Sequence, residues 1–159
     1  MKKIFAATIT VVGLALGAGQ ALAMGSSSTP AAAPSSDDSY EKAVKAVEAK
    51  EYREAISLLN KVIEAKPRNP DALNYLGFSH RKLGDYSKAV SYYQRALALE
   101  PEHKGANEYL GEAYVELGNM SGAMERLATL EKACGTDCEE YRTLKAAIEA
   151  ARAKSGTQG

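Results

Sequence analysis

Leu73, Leu76, Gly77 and His80 fall three and four residues apart, and Tyr86, Ala89, Val90, Tyr93, Ala96 and Leu97 repeat that spacing after a gap. Such recurrence puts the packing positions on one face of a helix. Gly84-Asp85 separates the two stretches, so the unit reads as helix, turn, helix. Moving 34 residues along the chain brings the same frame back: "LGFSHRKLGDY", Leu76 to Tyr86, returns as "LGEAYVELGNM", Leu110 to Met120. Ala55, Ala89 and Ala123 share the register, as do Tyr52, Tyr86 and Met120, Leu59, Tyr93 and Leu127, Pro67 and Pro101, and Gly77 and Gly111. Ser79, which after Gly77 resembles the start of a nucleophile elbow, becomes Ala113 in the copy, and Arg81 stands where the elbow needs a second glycine. Ser79 is therefore expected in mid-helix without a catalytic duty.

Start signals follow the same period. Asn69-Pro70 offers an N-cap followed by proline at the first helical position, where its missing N–H is not needed. Asp85 is placed to cap the next helix, and Asp38 with Glu41 and Asp137 with Glu140 have capping-box spacing. Small residues at Ala43, Gly77 and Gly111 are predicted where the two helices of a unit cross, facing Ala55, Ala89 and Ala123.

These residues resemble the tetratricopeptide repeat family, whose unit has this length. Residues 70–103 match through Leu76, Gly77, Ala89, Tyr93, Ala96 and Pro101, with Leu73 and His80 at the usual tryptophan and tyrosine places. Residues 104–137 keep Leu110, Gly111, Tyr114 and Ala123, and residues 36–69 keep Ala43, Ala55, Leu59 and Pro67. The resemblance implies an all-α helix-turn-helix solenoid of about three repeats over residues 40–137. A capping helix at 138–154, apolar at Tyr141, Leu144, Ile148 and Ala151, would close it, with a disordered tail at 155–159. It also implies a concave groove for a peptide or protein segment, lined by Asp71, Asn74, Phe78 and Arg81 and by Gly105, Glu108, Glu112 and Val115. The subclass that clamps C-terminal carboxylates uses lysine, asparagine and arginine, whereas this chain has Tyr40, Val44, Glu108 and Glu112. Glu108 and Glu112, one turn apart, are read as mutually repelling, which favours a partner with Lys or Arg beside an apolar anchor.

Residues 1–23 read as a cleavable signal: Lys2 and Lys3, an uncharged apolar run, then Ala21-Leu22-Ala23. Residues 24–39, rich in Ser, Ala and Pro, read as a flexible linker. Together these predict export to the periplasm, with secretion as the second choice, and no membrane attachment after cleavage. Without Lys2 and Lys3 the chain keeps 18 of its 20 basic residues against 20 acidic ones, a net of −2, which offers no basic stripe to nucleic acid. His80 and His103 form no metal or catalytic motif, and no glycine-rich phosphate loop occurs, so neither cofactor nor metal is expected. Cys134 and Cys138, bracketing Gly135, are expected to form a disulfide in an oxidising compartment, with a redox-active pair as the alternative. The function expected is a non-enzymatic periplasmic adaptor; the alternative is a self-associating structural or accessory subunit of an envelope complex.

Overall fold

A computed structural model describes residues 35–156 as seven helices joined by short turns, with no strand among the described residues. They are α1 (Ser36–Glu48), α2 (Tyr52–Ala65), α3 (Pro70–Lys82), α4 (Tyr86–Leu99), α5 (Lys104–Glu116), α6 (Met120–Cys134) and α7 (Glu139–Gly156). Side chains set most starts. Asn69 Oδ1 accepts from Ala72 N at 2.9 Å, Asp85 Oδ1 from Lys88 N at 3.3 Å, and Asn119 Oδ1 from Gly122 N at 3.0 Å. Each satisfies a backbone donor that the first helical turn leaves open.

Both ends of the helical array depart from expectation. The linker expected through Ser39 gives way at Ser36, because a capping box starts α1 there: Asp38 N donates to Ser35 Oγ and Ser35 N to Asp38 Oδ2. The box is thus Ser35 with Asp38, not Asp38 with Glu41, and Ser39 joins Ala43 and Ala46 on the buried stripe of α1. At the other end α7 extends beyond the predicted 154, and the Ser155 hydroxyl, expected in the tail, donates to Arg152 O at 2.9 Å. The signal expectation for 1–23, the linker before residue 35 and the last three residues lie outside the described residues.

One backbone device turns the chain inside each repeat. Glu51 N donates to Ala46 O, Asp85 N to His80 O, and Asn119 N to Tyr114 O, at 2.8, 2.9 and 2.8 Å. The turn needs a left-handed residue, which Gly84 (φ 81) and Gly118 (φ 74) provide without a Cβ penalty; Lys50 (φ 62) does so against one.

Alanines let the helices approach: Ala43, Ala55, Ala89 and Ala123 are fully buried. Tyr93 fills the centre, and a Cβ on Gly77 would lie 2.5 Å from its ring, so only glycine admits that tyrosine. At Gly111 the expectation shifts: the atoms crowding a Cβ there belong to Leu144 of α7, not to the facing alanine of α6. Leu144 and Ile148 are buried with Leu130 and Ala123, so α7 closes the third repeat.

Curvature follows from which helices meet. α1 touches α3, α3 touches α5 and α5 touches α7, whereas α2 does not meet α4, nor α4 meet α6. An inner row in contact and an outer row splayed apart bend the stack toward the odd-numbered helices. Their exposed faces form its concave wall.

Candidate functional site

The wall is read most clearly on α3 and α5. Arg81 is its buried centre: its guanidinium meets the carboxylate of Glu112, reaches Glu116 Oε1 at 3.0 Å, and lies 5.8 Å over Phe78 and 5.7 Å over Tyr109. Phe78 packs 5.0 Å from Tyr109 and 6.2 Å from Tyr52, between ring centroids. Phe78, Arg81 and Glu112 thus belong to one cluster.

Asp71 stands at the rim, its side chain 64% exposed, and its Oδ1 accepts from His103 Nε2 at 3.0 Å. His103 Nδ1 in turn accepts from Ala106 N at 3.1 Å and caps α5, a pattern that fits the neutral ring with its proton on Nε2. Asn74 is buried beside Gly105, its amide nitrogen 3.1 Å from where a Cβ would stand.

The expected repulsion between Glu108 and Glu112 is corrected in part. Glu112 is neutralised from the neighbouring repeat by Arg81, a partner 31 residues away in sequence that no spacing rule within a helix detects. Glu108 is different. It is buried at 9% exposure, and Lys104, one turn before it, turns instead toward Glu140 at 3.8 Å. Burial, then the charges of Glu112, Glu140 and Glu139, push the Glu108 carboxyl up to about 7, against a smaller opposing pull from Arg81. Burial opposes the Arg81 charge, yet Glu112, Tyr93 and Glu116 hold its pKa above the ordinary arginine value.

With repeat, packing and wall in view, the family can be assigned. The tetratricopeptide repeat model matches residues 46–91 and 80–148. The chain belongs to the tetratricopeptide repeat family. A comparison with curated proteins by sequence gives no match. Among solved structures, the Sgt2 tetratricopeptide domain from Aspergillus fumigatus is similar at 24% identity and TM-score 0.68, over 80% of this chain and 84% of that one. The first tetratricopeptide domain of Spaghetti (RPAP3), bound to the HSP90 peptide SRMEEVD, is similar at 23% identity and TM-score 0.66, over 72% and 91%. PcrH in complex with the chaperone binding region of PopD is similar at 16% identity and TM-score 0.66, over 75% and 92%.

This tetratricopeptide wall also carries a row of rings, in which Tyr75 and Tyr109 join Tyr40 and Phe78 of the expected groove positions. Tyr40 and Tyr75 are 6.1 Å apart edge to face, and Tyr109 continues the row to Phe78. Burial, then Asp71 and Tyr75, push the Tyr40 hydroxyl up to about 12; burial, then Glu108, does the same for Tyr109. The signal was available, since Tyr75 and Tyr109 are 34 residues apart, directly after Asn74 and Glu108. Ser79 is fully buried in α3, away from any nucleophilic role, and His80 stacks on Tyr92 at 5.4 Å.

Cys134 and Cys138 meet at the α6–α7 turn with their Cα atoms 5.9 Å apart and their sulfurs in contact, an arrangement a disulfide can occupy. A Glu140 oxygen lies with the two sulfurs inside 4.8 Å; a pair closed as a disulfide would offer a metal no thiolate.

Proposed function

We propose that this chain is a non-enzymatic adaptor of the periplasm whose concave wall holds an extended segment of a partner protein. The observation that carries the reading is the half-buried row of Tyr40, Tyr75, Tyr109 and Phe78 on the inner helices, with Asn74 and Glu108 beside it. Rings fixed by their neighbours give apolar contact area at little cost in side-chain freedom, and polar groups between them set orientation. The Spaghetti domain is described with the acidic peptide SRMEEVD and PcrH with a segment of PopD, which supports occupancy of this wall by a chain segment. An acidic end like that peptide's suits this wall poorly, because Glu108, Glu112 and Glu116 face it. The segment expected is basic and apolar.

A photo-crosslinking residue placed at Phe78 should capture partner in living cells, while one at exposed Gln94 on α4 should not. Equal capture from both positions overturns the assignment of the wall. Periplasmic release of a chain beginning near Met24, read by N-terminal sequencing, tests the address. The Cys134–Cys138 disulfide is part of the same proposal, and intact mass without reduction should show two hydrogens fewer than the dithiol; two freely alkylated thiols reject it.

Self-association is the competing reading, favoured by an open depression of about 570 Å³ between α5 and α7, lined by Val115, Ala147, Ala150 and Ala151. Sedimentation at increasing concentration separates the two.

A further inference from the structure

Among the described residues, the wall holds one buried carboxyl without a paired cation. Glu112 and Glu116 share Arg81, and Glu140 has Lys104, whereas Glu108 has no ion-pair partner among the described residues. On α3, packed against Gly105 one turn before Glu108, Asn74 is nine-tenths buried, and its Oδ1 meets no hydrogen-bond partner among the described residues. Its amide faces Gly105, where the missing side chain borders an open depression of about 360 Å³ that also touches Asp71, His103, Lys104 and Glu140. A carboxyl largely withdrawn from water without a counter-charge is costly, and so is an amide oxygen kept from a donor. With the Asn74 amide turned over, so that its oxygen takes the place of the nitrogen at the Gly105 gap, one ammonium or guanidinium entering past Gly105 would meet both acceptors.

We propose that Glu108 and Asn74 form an acceptor pair for a single lysine or arginine side chain of the partner segment, seated next to Tyr109. The proposal rests on the groove reading above and narrows it to one side chain. The charged neighbours of Glu108 favour a cation: Glu112 on α5, and Glu139 and Glu140 on α7, oppose only Arg81 from α3, which is already engaged. The flat ring of Tyr109 adds a face on which a cation is attracted. In the empty groove the Glu108 carboxyl titrates near 7, so capture of a cation near neutrality must expel its proton. Basic segments therefore bind about tenfold more weakly at pH 6 than at pH 8, one pH unit below the carboxyl's pKa against one above it. His103, at the rim of the same depression, is unchanged in the Glu108 variant, so its contribution is separated from that of Glu108.

The test uses the mature chain on an array of immobilised extended peptides in which Lys, Arg, norleucine and Glu rotate through each position beside an aromatic or aliphatic residue. Wild type should select Lys or Arg at one position, with the pH dependence just given. Glu108→Gln and Asn74→Ala should still bind apolar peptides, yet lose the preference, and Glu108→Gln should lose the pH dependence with His103 intact. Peptide binding that is indifferent to Lys and Arg, or a preference that survives Glu108→Gln, overturns the acceptor pair while the groove stands. No binding by wild type to any peptide overturns both readings. As a second readout, the Glu108 side-chain carbon should titrate near 7 by NMR in the free protein and well below it with a selected Lys peptide bound; an unmoved titration rejects the pairing.

Discussion

The middle and third repeats share one frame and complete it differently. In the middle repeat Tyr93, on the repeat's own second helix, covers the bare backbone of Gly77. In the third, Leu127 stands in the place of Tyr93, and Gly111 is covered by Leu144 of α7. The wall shows the same asymmetry: Arg81 of the middle repeat has Val115 as its counterpart in the third, and the third repeat's Glu112 and Glu116 depend on Arg81. The middle repeat brings its own filling and lends a cation; the third borrows both. Repetition therefore fixes the backbone path, while charge balance and closure belong to pairs of neighbouring units.

The sharpest way to break this dependence is Arg81→Ala. It strands two carboxylates and unstacks Phe78 and Tyr109, and removing one partner from a buried pair costs ~3–5 kcal/mol. Urea unfolding should show that loss, whereas a change below ~1 kcal/mol would mark the pair as an ordinary surface contact. Leu144→Ala should cost ~2–5 kcal/mol, the range for emptying a fully buried leucine site. Leu127→Ala should cost less, because Leu127 is only half-buried; the reverse order would make α7 an accessory to a self-sufficient third repeat.

Glu108 and Glu112 should respond with opposite signs. The Glu108 carboxyl is raised from 4.5 to about 7, so the folded chain retains a proton that the unfolded chain releases between those values. Stability contributed by this group is present at low pH and falls as pH rises through that window. Glu108→Gln removes the loss, and its advantage over wild type should grow from near zero at about pH 4 to ~1–3 kcal/mol at about pH 8. Glu112→Gln, which leaves Arg81 with less counter-charge, should destabilise at neutral pH. Matching profiles for the two variants would show that Arg81 does not distinguish them. Lys50→Gly should give the smallest effect, a gain of ~0.5–1 kcal/mol in thermal unfolding, since relief of the left-handed backbone is offset by glycine's freedom in the unfolded chain.

What could be read from the chain in advance depended on the range of the interaction. The 34-residue period, the Asn69-Pro70 start, the Asp85 cap and the buried alanines are local, or repeat locally, and each recurs in the structure. Arg81 with Glu112 was hidden because the pair joins adjacent repeats across α3 and α5, beyond the three- and four-residue spacing of one helix. Ser35 was absorbed into a Ser- and Pro-rich stretch whose composition masked a capping box, although Ser39, Ala43 and Ala46 already had helical spacing. His103 is not legible as a cap because histidine is uncommon in that role, and its second nitrogen reaches Asp71, 32 residues earlier at the start of α3. Of the wall residues, Phe78, Arg81 and Glu112 cluster, Asp71 serves His103, and among the described residues Asn74 keeps an unpaired acceptor and Glu108 has no ion-pair partner.

The contacts between helices have a consequence in time. Since α1 reaches no farther than α3, and α7 no farther than α5 and α6, either end can open without disturbing the other. Amide hydrogens on α1 and α7 should then exchange with deuterium by separate local openings, while those around Tyr93 wait for the whole row to come apart. On the proposed adaptor reading, one end of a held segment could be let go while its middle stays seated, and release would proceed as a peel rather than as a single detachment.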